Sequence, residues 1–330
     1  MKLLHRRLFL HLTAGAAVLP ALSRIARAQA YPSRPITMIV PFAAGGGSDA
    51  IGRIVGERMR ASLGQPFVIE IAGGANGSIG TGRAARAAGD GYTLVFGNWN
   101  THVANGVIYR LPYDILMDFE PVALLASNPF LIVAKSAIAA NDLREFIAWL
   151  MANPDKVSQG SGGVGSPGHV GGILLKNATG IRFQHVPYRG DSQAMQDLVA
   201  GQIDFMLASP TTSLPQVSAG AIKAYAVMNS RRFEAAPNIP TVDEAGLPGF
   251  YTSNWYALFA PKGTPKETIA KLNGAAVAAL ADPTVRSRLA DQGQQIPLRH
   301  QQTPEALAVY QMAEIEKWWP IIKAAGIKAQ

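Results

Sequence analysis

The stretch IVPFAAGGGSDA, residues 39–50, joins an apolar run to a helical pattern through three consecutive glycines. Glycine has no Cβ, so its backbone adopts conformations that other residues avoid and can approach a ligand closely. Ser48 or Asp49 is placed to cap the helix that follows. A helix N-terminus presents free N–H groups and the positive end of the helix dipole, and both favour anions. The stretch therefore predicts an anion-binding loop between a strand and a helix.

The same unit recurs along the chain. The pattern predicts a strand at 36–42 and a helix at 49–64, and a second glycine loop at 161–169 precedes a helix with Ser166 as N-cap and Pro167 as its first residue. Alternating strands and helices predict an α/β fold with mostly parallel sheets. In open α/β sheets the ligand lies beyond the carboxyl ends of the strands, so we expect these loops to face one cleft.

Two long apolar segments, 121–136 and 253–263, resemble strands that cross between two lobes. They would divide the mature chain into lobe 1, residues 31–131 and 257–330, and lobe 2, residues 132–256. The last helix is predicted at 304–326 with an interruption at Pro320, because proline lacks the N–H that continues a helix.

The first thirty residues predict a signal peptide. They contain basic residues and no acidic ones, and the apolar run 8–22 is too short for a membrane span. Small residues predict cleavage near residue 28 or 30 and a periplasmic mature protein. Arg6 and Arg7 begin the twin-arginine-like stretch RRLFL; Sec export and a retained N-terminal anchor are the alternatives.

Charge and composition exclude several classes of function. Removal of residues 1–30 leaves 25 basic residues against 22 acidic ones, a net charge of about +3 instead of +8. Without a dense run of Lys and Arg, we expect no nucleic-acid partner. The absence of cysteine excludes disulfides and thiolate metal sites, and the histidines of the mature chain lack metal-ligand spacing. We therefore expect neither a metal nor a cofactor.

Two enzymatic interpretations fit parts of the sequence. Gly45, Gly47 and Ala50, followed after twenty residues by Glu70, approximate a dinucleotide fingerprint and would describe a twin-arginine-exported oxidoreductase. The strand-to-glycine spacing is longer than a Rossmann turn usually allows.

A serine hydrolase is the second interpretation. The stretch GDSQA at 190–194 approximates a nucleophile elbow around Ser192, with Asp204 and His300 downstream. The motif lacks its final glycine, and Ser192 is better explained as a first-turn residue of a helix, where Asp191 favours the dipole.

A series of motifs then carries a resemblance to a known family. They run in order from Tyr31 to Lys328: YPSRPITMIVPFAAGGGSDA, DGYTLVFGN, DFEPVALLA, SGGVGSPGHV, VPYRG, GQIDFML, IPTVDEAGLPGF and WYALFAPKGTP. Together they resemble the Bug family, the extracytoplasmic solute receptors of tripartite tricarboxylate transporters.

The resemblance implies a two-lobed periplasmic-binding-protein fold, type II-like, with two chain crossings and a ligand cleft between the lobes. It implies a non-enzymatic, monomeric receptor for a small mono-, di- or tricarboxylate, aliphatic or aromatic, acting in transport or sensing. Its partners would be the membrane subunits of a tripartite transporter, which receptors of this family can lack. Loop amides, hydroxyls and bridging waters would hold the ligand.

The resemblance also implies which positions line the cleft. Those of the first lobe are Phe42, Ala44, Gly45, Gly46, Ser48, Asp49, Asn76, Gly77, Ser78, Asn98, Trp99 and Thr101. Those of the second lobe are Ser161, Ser166, His169, Tyr188, Arg189, Asp204 and Ser209.

Structural roles are the alternatives for several of these residues. Ser48 and Ser166 could act only as N-caps, and Asp49 would brace its loop. Arg189 would be a bidentate carboxylate clamp or a solvated loop charge.

Two further residues have structural alternatives, and two segments depart from the family pattern. Asp204 could cap the start of a strand, and Trp99 could line a flat ligand or simply pack. The segments IAGGAN (71–76) and LASPTTSLP (207–215) differ from the usual family sequence near the expected cleft. The sequence therefore leaves the identity of the carboxylate open.

Overall fold

A computed structural model describes residues 31–328. Residues from Arg34 onward form one compact unit, which contains all the elements below. The predicted signal peptide, residues 1–30, lies outside the described residues.

The unit alternates strands and helices. The strands are β1 (Ile36–Val40), β2 (Phe67–Ile71), β3 (Thr93–Asn98), β4 (Phe119–Pro129), β5 (Leu131–Lys135), β6 (Ser158–Ser161), β7 (Gln184–Pro187), β8 (Phe205–Ala208), β9 (Ile222–Val227) and β10 (Ser253–Pro261). The α-helices are α1 (Gly47–Leu63), α2 (Ser78–Ala85), α3 (Asn105–Ile108), α4 (Leu143–Ala152), α5 (Pro167–Thr179), α6 (Asp191–Val199), α7 (Pro210–Ser218), α8 (Lys266–Ala281), α9 (Pro283–Asp291) and α10 (Pro304–Ala324). Short 3₁₀ or π turns occupy Ala75–Gly77, Asn100–Ala104 and Arg299–Gln301.

The strands form two five-stranded sheets with equivalent orders, β2-β1-β3-β10-β4 and β7-β6-β8-β5-β9. Each sheet has two parallel pairings and two antiparallel ones. The expectation of mostly parallel sheets is therefore correct only for β1, β2 and β3 of the first sheet and β6, β7 and β8 of the second. The antiparallel pairings all involve β10 or β5, the strands that arrive from the other sheet and run in the opposite direction.

The chain passes between the sheets twice. The apolar segment predicted as one crossing strand is two strands, β4 and β5, separated by Phe130. At the crossings Phe130 N donates to Thr252 O (2.9 Å), Met228 N to Phe130 O (2.8 Å) and Thr252 N to Met228 O (3.3 Å). Strand β10 pairs with the first sheet from Ser253 onward, so that sheet begins before the lobe boundary predicted at 256/257.

The pleat of β5 explains why the second sheet is covered on both faces. Successive side chains of a strand point to opposite sides. Ile132 and Ala134 join one apolar cluster with residues of α4 and α5, whereas Leu131 and Val133 join another with residues of α6. A strand buried on both faces is a continuous apolar run. Its sequence therefore lacks the alternation of apolar and polar residues that would show which side chains point to which face of the sheet.

Helix α10 contradicts the predicted interruption at Pro320. The helix runs from Pro304 to Ala324 and contains Pro320 on its exposed side. Proline costs one backbone hydrogen bond, but Trp318 and Ile322 on the buried face hold the helix against the first sheet. No helix within residues 31–328 has the length and apolar character needed to cross a membrane.

Gly97 of β3 provides a test of core packing. A Cβ at this position would lie 2.5 Å from His102 Nδ1 and 2.8 Å from Phe259 Cδ2, and these two rings stack at 3.8 Å. We expect Gly97→Ala to lower the free energy of unfolding by about 1–3 kcal/mol through overpacking. Urea denaturation measures the change.

Gly274 of α8 is the matched control, because a Cβ there meets no atom within 4 Å. Gly274→Ala should raise the free energy of unfolding by about 0.5–1 kcal/mol, since alanine favours a helix interior. Equal effects of the two variants would contradict the packing described for Gly97.

Candidate functional site

The loops at the carboxyl ends of the strands come together. They are residues 41–46, 72–77 and 99–101 of the first sheet and 162–166, 188–190 and 209 of the second, and we call them the facing loops. A Cβ on Gly165 would lie 2.4 Å from Ile108 Cδ1, and Val170 of α5 packs in the same apolar cluster as Ile108. The carboxyl edges of the two sheets therefore meet.

The first glycine loop ends in an uncapped helix. Gly46 is the N-cap of α1 and makes no side-chain cap hydrogen bond, so the interpretation of Ser48 or Asp49 as the cap is wrong. Ser48 is the second helical residue and is buried. The first N–H groups of this helix have no partner within the helix and no capping side chain, which leaves them available to an anion.

Asp49 holds the loop in place. Its Oδ2 accepts a hydrogen bond from Gly45 N at 2.8 Å, and its Oδ1 accepts one from Arg53 Nε at 2.6 Å. Gly45 has a φ of +78°, a left-handed conformation that favours glycine. The carboxylate thus fixes the turn through which Ala44 and Gly46 present their backbone.

An amide cluster fixes the second loop. Asn76 Nδ2 donates to Asn105 Oδ1 (3.1 Å), Asn100 Nδ2 donates to Asn76 Oδ1 (2.7 Å), and Asn105 Nδ2 donates to Asn76 O (2.9 Å). Both hydrogen-bonding ends of the Asn76 side chain are therefore used within the protein. Asn105 was not predicted from the sequence.

Close backbone packing joins the second loop to the first. A Cβ on Gly77 would lie 2.7 Å from Thr101 Cγ2 and 3.0 Å from Phe42 Cζ. Ser78 Oγ donates to Ala75 O at 2.8 Å. The structure therefore brings Phe42, Gly77 and Thr101 together.

The end of β3 is structural. Thr101 N donates to Asn98 Oδ1 (3.1 Å) and Asn98 N donates to Thr101 Oγ1 (3.0 Å), with both residues buried. Trp99 is 1% exposed and meets Trp318 edge-on at 5.4 Å. The structure thus places Trp99 in the core, as the packing alternative described.

The second glycine loop is tied to two histidines. Ser161 Oγ lies 2.7 Å from His185 Nε2, and Ser166 Oγ caps α5 by accepting from His169 N at 3.3 Å. His169 Nδ1 accepts from Gly165 N at 3.0 Å, and the rings of His169 and His185 stack at 3.8 Å. The predicted cap at Ser166 is thus present, whereas His185 was missed.

The remaining loops of the second sheet contain Tyr188, Arg189 and Ser209. Tyr188 OH donates to Asp197 Oδ2 at 2.6 Å, and Arg189 is exposed. Ser209 precedes α7 without capping it, and its Oγ accepts from Asn128 Nδ2 at 3.3 Å.

Asp204 lies at the opposite edge of the sheet and is a correction to the predicted site. It precedes β8, and its carboxylate accepts from Ser158 N (2.7 Å) and pairs with Lys135 Nζ (2.6 Å). These contacts are at the amino ends of β6 and β8, so Asp204 anchors the start of a strand, as its structural alternative described.

Among the described residues, those of the serine-hydrolase interpretation form no hydrogen-bonded group, and Glu70 of the dinucleotide interpretation is engaged in an ion pair. In the part of the chain that the structure describes, no hydrogen bond joins any two of Ser192, Asp204 and His300. Glu70 pairs with Arg83 at 2.6 Å, with both side chains substantially exposed. Between residues 31 and 328, no group of three or more His, Asp or Glu side chains is arranged to hold a metal.

Two further residues at the facing loops were missed from the sequence. Asp191, the first residue of α6, lies against Gly162, and Tyr256 of β10 places its hydroxyl 3.3 Å from a Cβ built on Gly47. Tyr256 is nearly buried. In the sequence, Tyr256 belongs to the WYALFAP motif with no sign of a site role, and Asp191 is explained by the helix dipole alone.

Asp49 generates a stability prediction. Asp49→Ala removes the charge-assisted hydrogen bond from Gly45 N–H, an exposed residue whose N–H water can then satisfy, so we expect a loss of about 1 kcal/mol in the free energy of unfolding. Arg53→Ala removes only the half-exposed i,i+4 ion pair and should cost less than about 0.5 kcal/mol. If chemical denaturation gives the two variants the same loss, the Gly45 contact is not what Asp49 contributes.

The buried histidines generate a pH prediction. Burial lowers the pKa of His102 to about 3 and that of His169 to about 4; burial, with the nearby Lys176 charge, lowers the pKa of His185 to about 4. Between pH 4 and 6.5 the unfolded chain therefore binds more protons at these three histidines than the folded one does. The contribution of these histidines to the free energy of unfolding should be complete above about pH 6.5 and should fall as the pH drops toward 4.

Denaturation at a series of pH values measures this slope. The double variant His169→Asn, His185→Asn should show a shallower slope than the native chain. His300→Asn is the matched control, because His300 is exposed, and it should leave the slope unchanged. An unchanged slope in the double variant would show that the stacked pair does not carry the pH dependence.

Comparisons with known proteins agree with this geometry. MatC from Rhodopseudomonas palustris, solved with bound malate, is 38% identical with a TM-score of 0.81, and the match covers 88% of this chain and 100% of that one. A second R. palustris protein, solved with adipate, is 31% identical with a TM-score of 0.83 and coverage of 90% and 99%. Protein BugT of Bordetella pertussis is 33% identical over 303 residues, 91% of this chain and 92% of BugT.

The sequence profile of the family described as "Tripartite tricarboxylate transporter family receptor" (TctC) matches residues 51–327, most of the chain. The fold and family of the chain are those of periplasmic solute-binding receptors. The resemblance to the Bug family, predicted from the motifs, is confirmed. The chain therefore belongs to the TctC family of tripartite tricarboxylate transporter receptors, the Bug-type solute-binding proteins.

Proposed function

We propose that the chain is an extracytoplasmic receptor that binds a small carboxylate between the facing loops. The observation that carries the proposal is the uncapped start of α1, where Gly46 makes no side-chain cap hydrogen bond at an edge that meets the second sheet. The N–H groups there and the helix dipole favour a carboxylate. The Ser48 hydroxyl, one residue into the helix, would add a donor.

The malate and adipate bound to the two R. palustris relatives support this ligand class. Both are small dicarboxylates, and both proteins cover the fold of this chain almost completely. The other proposed cleft positions are those predicted from the resemblance, with Asp204 and the core residue Trp99 left out and Asp191 and Tyr256 added.

Binding would act through closure of two lobes, which we assign to the two sheets. A ligand that contacts both edges stabilises the closed arrangement by its differential affinity for the two states. The hydrogen-bonded crossings at Phe130, Met228 and Thr252 would absorb the rotation. The receptor would be exported by its signal peptide, act as a monomer without enzymatic activity, and deliver its ligand to transporter subunits or to a sensor.

A thermal-shift screen of the purified chain, refolded to remove bound ligand, tests the proposal. Malate, adipate, a tricarboxylate, an aromatic carboxylate and a nicotinamide dinucleotide form the panel. A carboxylate at a hundred times its Kd should stabilise the protein by about 2.7 kcal/mol, a shift of a few degrees. Stabilisation by the dinucleotide alone would contradict the receptor and favour the oxidoreductase.

Ser48 links the screen to the site. Ser48→Ala removes one hydrogen bond to a charged ligand and should weaken the carboxylate that binds by about tenfold in calorimetry. Ser287→Ala, an exposed serine of α9, is the control and should leave the affinity unchanged. Unaltered affinity in Ser48→Ala would show that the ligand does not reach the start of α1.

A further inference from the structure

Asp191 places a carboxylate at the facing loops. It follows β7 at the carboxyl edge of the second sheet and begins α6. A Cβ built on Gly162 would lie 2.5 Å from Asp191 Oδ1, so the carboxylate lies directly against the second glycine loop. Position 162 can therefore hold only glycine without displacing this carboxylate.

The first sheet contributes Tyr256 near the facing loops. Burial raises the pKa of Tyr256, and the negative charge of Asp191 raises it further. Tyr256 belongs to β10, and its hydroxyl borders the first residue of α1. Asp191 thus lies at the carboxyl edge of the second sheet. Tyr256 and the start of α1 lie at that of the first, and the two edges meet where Gly165 approaches Ile108.

Within the described residues, this carboxylate has no ion-pair partner. Among residues 34–328, Asp191 forms no ion pair with a Lys, Arg or His side chain. Burial raises its pKa to about 6, while the Gly162 N–H acts in the opposite direction. At neutral pH the carboxylate is therefore mostly ionised, and it is an acceptor opposite a region that offers donors.

This charge restricts which ligand fits. The start of α1 offers N–H groups to an anionic end of the ligand, and Asp191 offers an acceptor to a group that donates. An ammonium or a hydroxyl satisfies an ionised carboxylate, whereas a C–H leaves it without a partner. Leaving a desolvated carboxylate without a partner weakens binding more than the loss of an ordinary surface contact.

We propose that Asp191 is a specificity-determining residue that selects carboxylates bearing an adjacent hydrogen-bond donor, an ammonium or a hydroxyl, over the same carboxylates without it. The proposal rests on the carboxylate-receptor function proposed above. It names amino and hydroxy acids as the substrate class of that site.

Succinate, malate and aspartate test the proposal, because they differ only in a hydrogen, a hydroxyl or an ammonium on C2. Calorimetry on the ligand-free chain should give malate or aspartate an affinity at least about tenfold above that of succinate. The one that gains more identifies the donor. Asp191→Asn keeps the shape and an acceptor for Gly162 but removes the charge, and should lower that ratio by about tenfold.

Glu316→Gln, an exposed charge removal on α10, is the matched control and should leave the ratio unchanged. Asp191→Ser is a second neutral variant for the case in which the first does not fold, as judged by thermal unfolding. A ratio within about twofold of the native one in the folded neutral variant overturns the proposal.

The result separates the two proposals. If the native chain binds succinate as tightly as malate and aspartate, or binds other carboxylates and none of these three, the selectivity proposal falls and the receptor stands. If no carboxylate in either panel binds, the receptor proposal itself falls, and the selectivity proposal falls with it.

Discussion

The backbone hydrogen bonds among Phe130, Met228 and Thr252 hold together the two places where the chain passes between sheets. Strand β10 pairs with β4 up to Ser253 and Pro129, and β5 pairs with β9 from Leu131 and Val227 onward. The two crossings therefore lie side by side, because β4 and β10 are neighbours in the first sheet and β5 and β9 are neighbours in the second. Within residues 31–328 the chain passes between the sheets at these two adjacent places, and the facing loops lie at the carboxyl edges that meet beyond them.

The two edges differ in what they present. On the first, α1 begins without a cap, and Asp49 uses its carboxylate on Gly45 instead of on the helix N–H groups. On the second, α5 is capped by Ser166, and Asp191 adds an acceptor. One edge thus offers donors and the other an acceptor, which is a polarity that a ligand with an anionic end and a donor group would match.

Most of the polar side chains near the loops serve the protein itself. The Asn76 side chain donates to Asn105 and accepts from Asn100, and Ser161 is engaged by His185. Such networks fix the loops before any ligand arrives, and preorganised loops lose less conformational entropy on binding. Backbone N–H groups therefore carry more of the proposed recognition than side chains do.

The sequence predicted the fold class because its signals are local. The apolar run 36–42 and the two glycine loops correctly indicated a strand and the starts of two helices, since these signals depend on neighbouring residues, whereas the apolar run 121–136 proved to be two strands. The motifs likewise identified the family. Pro320 was misread because its helix is held by tertiary packing, which overrides the local preference of proline.

By itself, the sequence determined the order of strands, loops and helices and the residue types at each loop. Only the tertiary structure decided which side chains remain for a ligand. Ser209 bonds Asn128 across 81 residues, and Trp99 packs on Trp318. Such partners are distant along the chain and near only in the fold, so no local pattern records them. The same reason explains why Asp204 was predicted for the site while Asp191, which lies against the second glycine loop, was not.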